Sequence, residues 1–263
     1  MRRTLFIYRR LLGAHIRAAL QYDTDFWLLI LGAVLTQVVG VVFLSAIFAR
    51  IPTLSGWTFW DVVLIYAMVT LGEGVSSLFF EGQWRLAWMI NQGELDYALT
   101  RPYPVVLQVM GAAVGFNGIG NLTTGGILLG LGLANSQIVW TPWTVAMSVV
   151  LFVASLIIKV AISLGTNSVS FWITGPFSVF GYAMHQVGDL ARYPITIYAV
   201  GIRLAIGVVI PFAFISYFPV SLLLGDRPDS WVGLLTPLVA VWCVAAALVL
   251  FRRGLRRYES AGN

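Results

Sequence analysis

Long apolar runs recur along the whole chain, parted by short polar stretches. They predict membrane-spanning helices from about Phe26 to Ala49, Phe59 to Phe80, Val105 to Ala134, Thr144 to Thr166, Ile197 to Phe218 and Trp231 to Phe251. A helix of about 20 apolar residues, rising about 1.5 Å per residue, crosses the hydrocarbon core of a bilayer. The short alternating segments of a membrane β-barrel are absent. Ahead of the first run, Leu5, Tyr8, Leu12, Ile16 and Ala19 recur at helical spacing, with Arg3, Arg10 and Arg17 on the far side. That is the pattern of an amphipathic helix lying on a membrane surface, and equally of a basic cluster that only orients the chain. The expected architecture is an all-α integral membrane protein. Residues 1–25 form the surface helix, residues 26–251 a domain of six transmembrane helices, and residues 252–263 a basic tail.

Charge gives the orientation. Only 10% of the 263 residues are charged, against about 25% in soluble domains. Arg2, Arg3, Arg9, Arg10 and Arg17 precede the first run, and Arg252, Arg253, Arg256 and Arg257 follow the last. Arg85, Arg101, Arg192 and Arg203 fall in or beside alternate loops, and only Arg50 and Arg227 fall in the others. The positive-inside rule then puts both termini and the loop of residues 81–104 in the cytoplasm. The net charge of +5 fits orientation and anionic lipid rather than nucleic acid. No cleavable signal pattern opens the chain, and the lone Cys243 excludes an intrachain disulfide.

Few residues bear chemistry. Glu73 and Lys159 lie inside predicted spans, at similar distances from the outer ends of their helices, and are expected to pair. The pair suits a salt bridge between spans or a polar cavity; Lys159 alone also suits snorkelling to the interface. Asn117 and Asn121, four residues apart in the glycine-rich third run, point to a polar cavity. Pro211 and Pro219 interrupt the fifth run or its exit, and Pro219–Gly225 suits either a dip into the outer leaflet and return or a plain cap on the outer end of the fifth span. His15 and His185 are isolated and suggest no metal, and the stretch from Tyr182 to Arg192 is expected on the inner surface. No nucleophile, base and orienting group can be read together. The one lysine, Lys159, sits between Ile158 and Val160, so the chain has no phosphate loop of the Gly-x4-Gly-Lys type.

The loop of residues 81–104 is the most structured polar piece. Trp84 and Trp88, four apart, are expected on one helix face beside Arg85 and Met89. Gly93 suits a helix C-cap, and Pro102 and Pro104 stop continuation. An exposed aromatic pair suits docking to a partner or an aromatic belt at the headgroups. Four stretches carry a resemblance: Gly93-Glu94-Leu95-Asp96 with Arg101-Pro102, Arg192-Tyr193-Pro194-Ile195 with Tyr198 and Arg203, Pro211 to Gly225, and Arg257 to Gly262. In these the chain resembles ABC-2-type transporter permeases, in particular the ABC-2 family transporter group. The resemblance implies a permease half of an ATP-driven exporter in a bacterial plasma membrane. It implies a partner ATPase subunit that carries ATP and Mg, with no cofactor in this chain, and a second permease, identical or related. It makes docking the favoured role of the loop, through Trp84, Arg85, Trp88, Met89, Glu94, Asp96 and Arg101. It makes the N-terminal helix a connecting helix, and the segment around Pro211 and Pro219 part of an outer gate. An interior with few charges suits lipophilic or cationic drugs, or lipids. The alternatives are a secondary transporter or channel using Glu73 and Lys159, and a membrane enzyme acting on lipids. The first lacks an internal repeat and the second a catalytic constellation.

Overall fold

The computed structural model describes residues 6, 8, 10, 13, 14, 16, 17, 23–173, 175–225 and 227–260. Leu5, Leu12, Ala19, His15, Arg2, Arg3 and Arg9 lie outside the described residues. The described chain is helical throughout: α1 Asp23–Phe48, α2 Phe59–Phe80, α3 Leu86–Asn91, α4 Glu94–Thr100, α5 Val105–Met110, α6 Asn117–Asn135, α7 Pro142–Asn167, α8 Val179–Gly188, α9 Val200–Leu204, α10 Tyr217–Leu224 and α11 Thr236–Arg257. Four stretches are long and apolar enough to cross a membrane: Thr24–Phe48, Phe59–Asn91, Pro142–Phe171 and Ser230–Arg257. The protein is thus a multi-pass membrane protein. The side on which α11 ends, with exposed Arg252, Arg253, Arg256 and Arg257, is termed the basic side below.

The second run is legible to the residue, because Thr58 closes a capping box with Asp61. The Asp61 amide donates to Thr58 Oγ1 and the Thr58 amide to Asp61 Oδ2. At Thr141 a similar exchange with Thr144 starts α7, with Pro142 in its first turn. The last helix runs six residues past the predicted Phe251, carrying its arginines on an unbroken helix.

Helix α2 is the buried centre. The glycine-rich α6 runs antiparallel along it: Gly118 meets Gly74 and Leu78, Gly125 meets Leu71, and Gly132 meets Leu64. A Cβ at these three positions would approach the nearest atom to 2.7, 2.9 and 2.6 Å, so only glycine allows the two backbones to lie this close. The other face of α6 takes α1, with Gly120 against Ile30 and Ala33. On the far side of the bundle α7 pairs with α11, where Gly165 faces Ala247. Tyr8 hydrogen-bonds the Phe79 carbonyl and stacks 6.2 Å from Phe80, which ties the N-terminal segment to the basic end of α2.

Two predicted spans are not single helices. The third run breaks at residues 111–116, between α5 and α6, where the Gly115 amide bonds the Ser77 carbonyl of α2. The fifth run, Ile197 to Phe218, is a chain of short pieces. A turn at Ile195–Ile197 leads to α9, then a π-turn at Ala205–Val209 closed by the Ile210 amide on the Ala205 carbonyl, then a 3-10 turn at Phe212–Ile215. Pro211 supplies no amide, so the helix that reaches it cannot continue. Opposite the basic side, the Arg227 guanidinium stacks 3.9 Å over Trp57 and donates to the Gly56 carbonyl at 2.7 Å. Tyr217 packs on Trp57 and donates to Asp229 at 2.7 Å.

Candidate functional site

A polar cavity of about 280 Å³ lies inside the helical bundle between α2, α6 and α8. Glu73 and Ser77, one turn apart on α2, and Glu81 just beyond its end form one wall. Asn117 and Asn121, one turn apart on α6, form the second. Tyr182 and His185 of α8, with Arg192 after it, complete the third.

Lys159 of α7 donates to Glu73 Oε1, and both residues are buried. The lysine stem passes over Gly72, where a Cβ would already stand 3.3 Å from Lys159 Cγ. His185 Nδ1 lies 3.6 Å from the same carboxylate oxygen, and its ring meets the edge of Trp84 at 5.3 Å. One carboxylate thus faces a lysine and an imidazole within a bundle that excludes water from most of its surface.

At the deeper end of the cavity Gln37 of α1 acts as a hub. Its Oε1 accepts from Tyr66 at 2.8 Å and from Arg192 Nη1 at 2.9 Å, and its Nε2 donates to Asn121 at 2.9 Å. Arg192 also donates from Nε to Asp189 at 2.9 Å and lies 5.1 Å over the Tyr66 ring. Tyr66 is seven residues along α2 from its first residue, about 10 Å at the helical rise. Arg192 therefore sits at mid-bundle depth, so the end of the segment from Tyr182 to Arg192 leaves the inner surface on which it was expected. The reason is local: Asp189, Gln37 and the Tyr66 face together satisfy a guanidinium that would otherwise stay in water. Sequence reading missed Gln37, Tyr66 and Arg192 as site residues. The available signal was a glutamine in the middle of a long apolar run.

The predicted docking residues separate into two groups. Glu81–Arg85 winds as a 3-10 helix before α3 begins. With about three residues per turn instead of 3.6, Trp84 leaves the face of Trp88 and turns inward onto His185. Trp88 is exposed, with the Arg85 guanidinium 4.8 Å over its ring. Met89 is buried in the core, so it offers nothing to a partner. Arg85 approaches Glu94 at 4.0 Å. Gly93, at φ +70°, turns the chain between α3 and α4. Arg101 is exposed, as are Tyr97 at 72% and Leu99 at 47%, two residues not foreseen. Asp96 accepts from Ser260 Oγ at 2.6 Å, so the tail beyond α11 is fastened to α4. Burial, then Asp96 beside it, push the Tyr258 phenol up to about 12, which keeps this contact neutral on the tyrosine side at ordinary pH.

Pro211 and Pro219 do not share a level. Phe212, next to Pro211, packs on Gly188 and lines a cleft with Trp84 and Lys159, far from any outer gate. Pro219 lines a mainly apolar cavity of about 220 Å³ with Leu64, Leu133 and Val149, near the ends of helices opposite the basic side. Among the described residues no group of three or more His, Cys, Asp or Glu side chains suits a metal ion.

The family model for ABC-2 family transporter proteins matches residues 34–262. No curated protein and no solved structure matches the chain.

Proposed function

Because the chain belongs to the ABC-2 transporter family, we propose that it is the permease subunit of an ATP-driven exporter in a bacterial plasma membrane. It works as a dimer of permeases with two cytoplasmic ATPase subunits. ATP and Mg belong to those subunits, and this chain contributes the path and the docking surface. The observation that carries the reading is the polar cavity. A membrane bundle has no structural need for an open space walled by Glu73, Glu81, Asn117, Asn121 and His185, since polar groups in a span are costly and mark pathways.

The charges favour a substrate class. Glu73 faces Lys159 and Arg192 faces Asp189, whereas Glu81 has no ion-pair partner among the described residues. Glu81 is thus the one carboxyl group of the cavity wall outside an ion pair among the described residues. Trp84 and Tyr182 add aromatic surface. These features suit a lipophilic cation better than an anion or a sugar. Arg85, Trp88, Tyr97 and Arg101 present an exposed surface that fits the ATPase groove. Binding and hydrolysis of ATP there would turn the cavity from one side of the membrane to the other.

The test is co-expression of the tagged chain with a candidate P-loop ATPase subunit, followed by ATP-dependent uptake of ethidium into inside-out vesicles. Copurification and uptake that stop when the ATPase loses its Walker lysine are expected. Uptake that instead follows a pH gradient without ATP would favour the second reading, a proton-coupled carrier. His185 lying 3.6 Å from Glu73 is the observation on that side.

A further inference from the structure

A second cavity is larger than the polar one. A groove of about 370 Å³ runs between α2, α5, α7 and α11 and is walled by apolar side chains alone, among them Val75, Phe80, Met110, Ile157, Val160 and Leu248. It exists because the third apolar run is broken at residues 111–116. Helix α6 is drawn onto α2 by its glycines, and α5, six residues long, fills only part of the space between α2 and α11. Val153 and Ile157 are 48% and 41% exposed, so the groove opens sideways towards lipid. Nothing in its wall can hydrogen-bond, so a polar solute has no anchor there.

The groove belongs to the half of the bundle next to the basic side. Phe80 is the last residue of α2, and Leu248 lies one turn before Arg252 on α11. Arg252 and Arg253 are exposed. A basic rim at one end of an apolar slot between membrane helices matches one ligand, an amphiphile with an anionic head.

We propose that this groove seats one acyl chain of an anionic phospholipid, with the phosphate headgroup held by Arg252 and Arg253. The lipid replaces the missing part of the third helix. It fills a void that would otherwise stand between α2 and α11, and it links the α5 and α4 segment to the membrane. The site is distinct from the polar cavity, which uses the other face of α2.

The full chain alone is sufficient for the test. It is reconstituted in vesicles of equal phosphatidylglycerol and phosphatidylethanolamine, extracted into mild detergent, and its bound lipid is read by native mass spectrometry. Bound phosphatidylglycerol is expected to exceed phosphatidylethanolamine by roughly thirtyfold, since the two arginines together contribute about 2 kcal/mol to an anionic lipid. Ile157→Trp fills the slot and should remove both adducts, with Val153→Trp as a second blocking variant should the first not fold. Arg252→Gln with Arg253→Gln should keep an adduct but erase the headgroup preference. Unchanged adducts in the tryptophan variants, or no preference in the unaltered chain, would overturn the assignment. So would efficient crosslinking between Ile157→Cys chains in a Cys243→Ala background, which would put a second copy in the groove.

Discussion

A single buried contact decides most at the residue scale. Glu73 and Lys159 are each costly in a membrane bundle, and their contact offsets much of that cost. Lys159→Met strands the carboxylate, and a loss of about 3–5 kcal/mol is expected from breaking one half of a buried pair. Glu73→Gln together with Lys159→Met should recover most of it, because the two remaining groups are neutral. Thermal unfolding in detergent reads both, and equal losses in single and double variants would refute the argument. Exchanging the charges, Glu73→Lys with Lys159→Glu, should likewise retain more activity than either reversal alone. The depth of this pair was legible: counting residues from Phe59 and Thr144 puts both at one level. The companion charge was not. Arg192 reads as a loop cation because it falls between the fourth and fifth apolar runs, and only the return of the chain to Gln37 and Tyr66 shows what solvates it. Gln37→Leu removes the acceptor of that guanidinium and the donor to Asn121. A loss on the order of 2 kcal/mol is expected, the cost of leaving buried polar groups unpaired, again checked by thermal unfolding.

Between elements, spacing matters more than composition. The third run is crowded with glycine, but those at the α2 contact, Gly118, Gly125 and Gly132, recur every seven residues. That period keeps one narrow stripe of α6 against α2 over its length. Gly126, one residue away, has nothing within 4 Å of a built Cβ. The two neighbours should therefore respond oppositely. Gly125→Val drives a branched side chain into Leu71 and should cost about 1–3 kcal/mol, as overpacking does. Gly126→Ala should be neutral or stabilise by about 0.5–1 kcal/mol, since it only removes freedom from the unfolded chain. Parallel melting curves decide the matter, and matching losses would mean the stripe is misassigned. The same logic explains where sequence reading stopped. Thr58 and Asp61 mark the start of α2 because the cap is a local chemical signature. The fifth run carries no such mark: it is apolar throughout, and apolarity does not distinguish one long helix from α9, a π-turn and α10 in succession. Pro211 showed that a break exists without showing that Phe212 turns back to the level of Lys159.

For the whole molecule, the proposed function raises the question of how a motor outside the membrane would reach a cavity inside it. On that reading the segment Glu81–Arg85 would be shared by both. Glu81 and Trp84 line the polar cavity, and Arg85 with the neighbouring Trp88 faces outward on the basic side. A 3-10 helix is wound more tightly than an α-helix, so conversion between the two rotates residues about the axis. Winding Glu81–Arg85 into α-helical register would bring Trp84 back toward the face of Trp88 and withdraw it from His185. A push on Trp88 would thus be felt as a change in the cavity wall. The two tryptophans should then fail in different ways. Trp88→Ala with Arg85→Ala is expected to reduce copurification of the ATPase about tenfold or more, the range of a lost aromatic and arginine anchor, and to leave dye binding by the isolated chain intact. Trp84→Ala is expected to leave copurification unchanged while weakening dye binding and uncoupling ATP hydrolysis from transport. Pull-down, fluorescence anisotropy of ethidium on the isolated chain, and vesicle uptake separate these outcomes. Loss of copurification in Trp84→Ala would mean that both rings meet the partner and that the turn at Glu81–Arg85 does not divide motor from path.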